Sequence, residues 1–129
     1  MDIAALLAAA LLFGGMTFYS FGFAPVLFKQ LPMEQVRPLL RGTFPYYYLA
    51  VIGLSALATL LAVFISVLAA FLLATILAST IYARQILMYQ INDASDRDDK
   101  AAFGRLHGAS VGIQLIQIGI SAWALVLLT

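Results

Sequence analysis

The sequence predicts an all-α fold, an integral membrane four-helix bundle, and three observations predict it. First, 64% of the 129 residues are hydrophobic and 10% are charged, against about 45–50% and about 25% in a soluble domain. So few polar side chains cannot cover a water-facing surface, and a mean hydropathy of +1.00 sends the excess apolar residues toward lipid. Second, the charges divide the chain into apolar stretches that fit four crossings of a hydrocarbon layer about 30 Å thick. Third, all 7 Lys and Arg residues fall on one side of a four-span arrangement, whereas three or five spans scatter them over both faces.

A single transmembrane domain, 1–129, is expected, with spans at about 4–28, 44–63, 66–89 and 106–128 and cytoplasmic loops at 29–43 and 90–105. Residues 4–28 carry no charge and make roughly 37 Å of helix at 1.5 Å per residue, enough to span with some tilt. A cleaved signal peptide over 3–15 would need a basic leader, and the first charge is Asp2, so an uncleaved first helix is expected. Pro25 should kink or loosen its last turn. Lys29, Gln30, Pro32, Glu34, Arg37, Pro38 and Arg41 then read as an interfacial loop.

Residues 43–83 contain no charge, and as one helix they would run roughly 60 Å, about twice the hydrocarbon thickness. They must fold back. Length places the turn around 64–66, with Ser66 as a candidate N-cap of the returning helix. Phe44-Pro45 suits the opening of the second span, where proline costs no hydrogen bond. Tyr46, Tyr47 and Tyr48 follow as an aromatic cluster at headgroup depth.

The third span overshoots the membrane, because Arg84, Gln85, Gln90 and Asn92 gather before Asp93, Asp96, Asp98 and Asp99. Asp98 and Asp99, after Ser95, suit the N-terminus of a short helix through Lys100, Phe103 and Arg105. As a calcium loop this run lacks the glycine and terminal glutamate of an EF-hand, so it reads as a solvated linker. The fourth span ends near Trp123, a candidate interface anchor. Lys29, Arg37 and Arg41 lie between spans one and two; Arg84, Arg97, Lys100 and Arg105 lie at or between spans three and four. The positive-inside rule makes both basic loops cytoplasmic and both termini external, N-out and C-out, in the cytoplasmic (inner) membrane.

A net charge of +1 argues against nucleic acid as a partner. The absence of cysteine excludes disulfides, thiolate metal sites and cysteine nucleophiles. No Ser/His/Asp set, no paired intramembrane carboxylates and no phosphate loop are present, so neither an enzyme nor a bound cofactor is expected. The partners expected are the lipid bilayer and a second copy or a larger membrane complex.

Polar groups are costly in lipid, which singles out the fourth span. His107, Ser110, Gln114, Gln117 and Ser121 recur at steps of three and four and share a sector of about 80° at roughly 100° per residue. Gly108, Gly112 and Gly119 cluster on nearly the opposite side, and Gly108 and Gly112 have the spacing of a close-packing motif. The polar stripe reads either as interhelical glue or as the lining of a path entering at His107. Its candidate partners are Thr17, Tyr19 and Ser20, then Ser55 and Thr59, then Thr75, Ser79 and Tyr82. The glycine face reads either as packing within the bundle or as packing against another copy. His107, the sole histidine, reads as an interfacial side chain, since one imidazole is a poor ligand set for haem or metal. Arg84 either snorkels or pairs with an acidic residue of the following loop.

Three blocks carry a family likeness. They are Gly14-Gly15-Met16 with Ala24-Pro25-Val26-Leu27-Phe28, then Phe44-Pro45-Tyr46-Tyr47, then Phe103-Gly104-Arg105-Leu106-His107-Gly108-Ala109-Ser110. In these the chain resembles the family of small membrane proteins related to transmembrane protein 205, in particular its bacterial branch catalogued as a domain of unknown function. The resemblance implies a four-helix integral membrane protein and supplies no mechanism. Animal relatives are associated with tolerance to platinum drugs, a hint of solute or metal handling, but Met1, Met16, Met33 and Met88 show no ligand-like spacing.

The function expected is therefore that of a non-catalytic bundle in the cytoplasmic membrane, oligomeric or docked to a larger complex. Its alternative is a small-solute or ion conduit lined by the polar stripe, and a third reading is a haem-binding membrane redox protein.

Overall fold

Among the described residues, four long helices account for nearly the whole chain: α1 (Ile3–Gln30), α2 (Met33–Ala62), α3 (Val67–Asp96) and α4 (Lys100–Leu128). The computed structural model describes residues 3–129; Met1 and the early charge Asp2 lie outside them. Each helix packs mainly on its sequence neighbours, and α4 closes the ring by packing on α1. The result is an all-α, membrane-spanning four-helix bundle. At 28 to 30 residues the helices are roughly 42–45 Å long, some 12–15 Å more than the hydrocarbon layer. The excess lies at one end, where the C-termini of α1 and α3 meet the N-termini of α2 and α4 and bring the charges together.

At the other end the core is built from small residues. Ala5, Ala9, Ala58, Ala62, Ala69 and Ala124 are fully buried around Leu12, Leu73, Ile76 and Leu128. Small side chains let helix backbones approach closely, which is how helices associate in a solvent as apolar as their own side chains. Large residues instead face outward: Phe64, Val67, Phe71, Ile116 and Val126 are all well exposed, as a lipid-facing surface requires. The α2–α3 turn occupies 63–65. Ser66 then stands extended before α3, its hydroxyl accepting from the Ala69 N–H at 3.2 Å.

Four local expectations are corrected. The segment 29–43 is no loop: only Leu31 and Pro32 break the chain, and α2 already runs from Met33. Pro45 accordingly lies inside α2, together with Pro38, instead of opening a helix. Each proline removes one backbone bond, a loss a long helix tolerates when its neighbours hold it straight. The segment 90–105 is likewise helical except for 97–99. Asp99 caps α4, accepting from the Ala102 N–H at 3.1 Å, and Asp98 takes a left-handed φ of 56°. The helix it begins is no short one; it runs on without interruption through the fourth span.

Two stretches wind more loosely, as π-helix: Phe18–Phe23 in α1 and Ala83–Leu87 in α3. The first precedes Pro25, and there the Ala24 N–H reaches five residues back to the Tyr19 carbonyl. A proline lacks an N–H and crowds the preceding turn, and this wider turn relieves that crowding.

Candidate functional site

The polar stripe of α4 turns into the bundle. Ser110, Gln114, Gln117 and Ser121 are all buried, because steps of three and four keep them on one side of the helix. The first three of them reach three different helices. The Tyr48 hydroxyl on α2 lies 3.2 Å from that of Ser110, across the bundle. The Ser20 hydroxyl on α1 donates to Gln114 Oε1 at 3.4 Å. Gln117 Nε2 donates to Ser79 Oγ at 2.7 Å and to Thr80 Oγ1 at 3.0 Å on α3. Ser121 turns back on its own helix, donating to the Ile118 carbonyl.

Of the partners the sequence suggested, Ser20 and Ser79 take part. Ser55, Thr59 and Thr75 bond their own backbones, Tyr19 pairs with Thr43, Tyr82 is exposed, and Thr17 Oγ1 is buried without a hydrogen-bond partner. Thr80 and Tyr48 were missed. Thr80 could have been found from Gln117, since a long amide spans two adjacent hydroxyls. By sequence Tyr48 groups with Tyr46 and Tyr47 at headgroup depth, but consecutive helical residues point about 100° apart. Only Tyr46 faces outward; Tyr48 is buried, and Tyr47 stacks on Tyr19 with ring centroids 4.1 Å apart.

The partners of the glutamines coincide with the loosened turns. Ser20 lies within the π-helical stretch of α1. Ser79 and Thr80 lie one turn before that of α3, and the Ala83 N–H is shared between their two carbonyls. A π turn widens the helix and displaces its side chains, and here it accompanies the points at which α1 and α3 meet α4.

Measured along α4 from Leu128, Gln117 lies about 17 Å in, Gln114 about 21 Å and Ser110 about 27 Å. The ladder thus begins near the charged end and stops partway. Beyond Gln117 lie Ser121 and Ser55, both bonded to their own helices, and then the alanine-rich core. At the charged end a cavity of about 50 Å³ is lined by Arg41, Tyr48, Asn92, His107 and Ser110, among others. His107 is exposed there and stacks on Phe103, 5.6 Å between centroids, so it stands apart from the buried members of its stripe.

The glycine face points away from the bundle. Gly108 and Gly119 are exposed and Gly112 is partly so. A Cβ built on any of the three meets nothing within 4 Å, so no other helix of the bundle packs closely on these glycines.

Charged residues organise the protruding end. Arg41 grips Asp96 through two bonds of 2.7 and 3.0 Å, linking α2 to α3. Arg97 pairs with Asp93 and Asp99. Arg84 does not pair with an acid of that loop; its Nε donates to the Pro45 carbonyl at 3.4 Å. Among the described residues, no cluster of three or more His, Cys, Asp or Glu side chains is arranged to hold a metal ion.

Of the family-motif residues, Phe44 and Tyr47 join the aromatic cluster around Tyr19, and Phe103 carries the His107 stack. Gly14, Gly15, Phe28 and Tyr46 face outward, and Pro25 is partly buried beside the first π turn. Comparison with known families matches residues 7–100 to the family described as a domain of unknown function, DUF4149. The match takes in α1, α2 and α3; the stripe and the glycines of α4 lie beyond it. No curated protein and no solved structure matches the chain.

Proposed function

The chain belongs to the DUF4149 family, and from that premise we propose that it is a non-catalytic bundle of the cytoplasmic membrane that works by association, using the outer face of α4. One observation carries this reading: the two sides of α4 differ in what they lack. The buried polar residues are supplied with partners inside the bundle. Gly108, Gly112 and Gly119 instead leave a furrow with no neighbour, into which the backbone of another helix can come close. The occupant is a second copy or a subunit of a larger membrane complex. The end bearing every Lys and Arg faces the cytoplasm, by the positive-inside rule.

The test is Gly112→Leu, measured as oligomer mass in mild detergent and as crosslinking in native membranes. A Cβ at position 112 meets no atom of its own bundle, so folding should be unaffected while the assembly dissociates. A wild-type chain that is monomeric in the membrane, or an assembly indifferent to the leucine, overturns the reading.

A conduit through one bundle draws less support. The polar ladder ends about 17 Å from the uncharged face by helix rise, and packed alanine, leucine and isoleucine side chains close the remainder.

A further inference from the structure

We propose that the groove between the end of α3 and the start of α4 holds the phosphate of an anionic membrane phospholipid, with Arg105 as its principal ligand. The groove has a volume of about 380 Å³ and is lined by Gln90, Asp93, Arg97, Ala102, Arg105 and Leu106. Gln90 and Arg105 each lie about 35 Å along the axis from the uncharged ends of their helices, just past a hydrocarbon layer of about 30 Å. That is headgroup depth.

The charges fit this occupant. Arg41 and Arg97 are held in ion pairs, whereas among the described residues the Arg105 guanidinium has no hydrogen-bond or ion-pair partner. Asp93, the acid in the groove, is held by Arg97 at 2.9 Å, and the same guanidinium also holds Asp99, outside the groove lining, at 3.3 Å. The groove is left with the unanswered charge of Arg105, and a guanidinium matches phosphate oxygens in a two-pronged geometry. Gln90 adds an amide donor. Below the polar residues both walls become apolar and face outward: Tyr82, Ile86 and Tyr89 on α3, Ile116 on α4. These offer a track for the acyl chains. This site rests on the groove residues and not on the proposed association, although Ile116 lies between Gly112 and Gly119 along α4 and flanks that face.

The experiment is native mass spectrometry of the full chain released from bilayers of equal phosphatidylglycerol and phosphatidylcholine, compared with Arg105→Gln, Arg105→Lys and Lys29→Gln. Wild type should retain phosphatidylglycerol in preference, and Arg105→Gln should weaken retention about tenfold, the usual effect of losing one charge-assisted hydrogen bond. Arg105→Lys should keep part of it, and Lys29→Gln, whose charge lies outside the groove, all of it. Added inorganic phosphate should compete poorly, since it lacks the chains. Equal retention of both lipids, an unaffected Arg105→Gln, an equal loss in Lys29→Gln, or full displacement by phosphate each overturns the proposal.

Discussion

Gln117 on α4 and Thr80 on α3 meet at 3.0 Å between two buried side chains, and the direction of their bond ranks the polar contacts of the bundle. The Thr80 hydroxyl donates its own proton to the Ile76 carbonyl at 2.7 Å, so it receives the amide through a lone pair. Ser79, which accepts from the same nitrogen, also donates to the Ile76 carbonyl. Removing Gln117 therefore leaves no donor stranded. Interhelical hydrogen bonds in membranes contribute about 0.6 kcal/mol on average and at most about 1.7. Gln117→Leu should cost about 1 kcal/mol, and Gln114→Leu, whose single bond is 3.4 Å long, about half that. Reversible unfolding in bicelles checks both; the opposite ranking would show that bond length does not govern these contacts.

The Arg41–Asp96 pair has good geometry but stands in water, its side chains 46% and 60% exposed. A pair so placed contributes little to stability and is screened by salt. A double-mutant cycle of Arg41→Gln and Asp96→Asn should give a small coupling in low salt that vanishes near 1 M salt. A coupling that survives high salt would mean that the bundle's end is drier than its exposure implies.

What could be read from the sequence was what repeats or what lipid forbids. Uncharged length demanded a turn near Ser66, and steps of three and four put Ser110, Gln114, Gln117 and Ser121 on one side of α4. What could not be read was what depends on distant parts of the chain. Pro38 and Pro45 look like breakers, yet neighbouring helices hold α2 through both. Arg41 and Asp96 are 55 residues apart and carry no local sign of their pairing. The loosened turns at Phe18–Phe23 and Ala83–Leu87 likewise follow from packing, and no residue pattern announces them. The outward direction of the glycines needed the bundle itself, since a small-residue face suits an inner contact and an outer one equally well.

Because the polar ladder stops short of the uncharged end, one bundle should not conduct. Proteoliposomes holding the purified chain should show no ion or small-solute flux above empty vesicles, read by a fluorescent reporter. Flux that disappears in Gln117→Leu while the fold stays intact would reverse this and make the ladder a path. Flux unchanged in Gln117→Leu would place the route between bundles, along the α4 face.

The chain's orientation can be tested at the two ends of the bundle. Ile65 in the α2–α3 turn is exposed, as is Arg97 between α3 and α4. Since the chain has no cysteine, Ile65→Cys and Arg97→Cys each report on one site without background. All 7 basic residues lie at or near the end that carries Arg97, and translocating that end would work against the charge bias that orients membrane helices. An impermeant maleimide added to intact cells should therefore label position 65 and spare position 97, and permeabilisation should expose both. Labelling of 97 alone in intact cells would invert the molecule, and would also move the Arg105 groove to the outer leaflet.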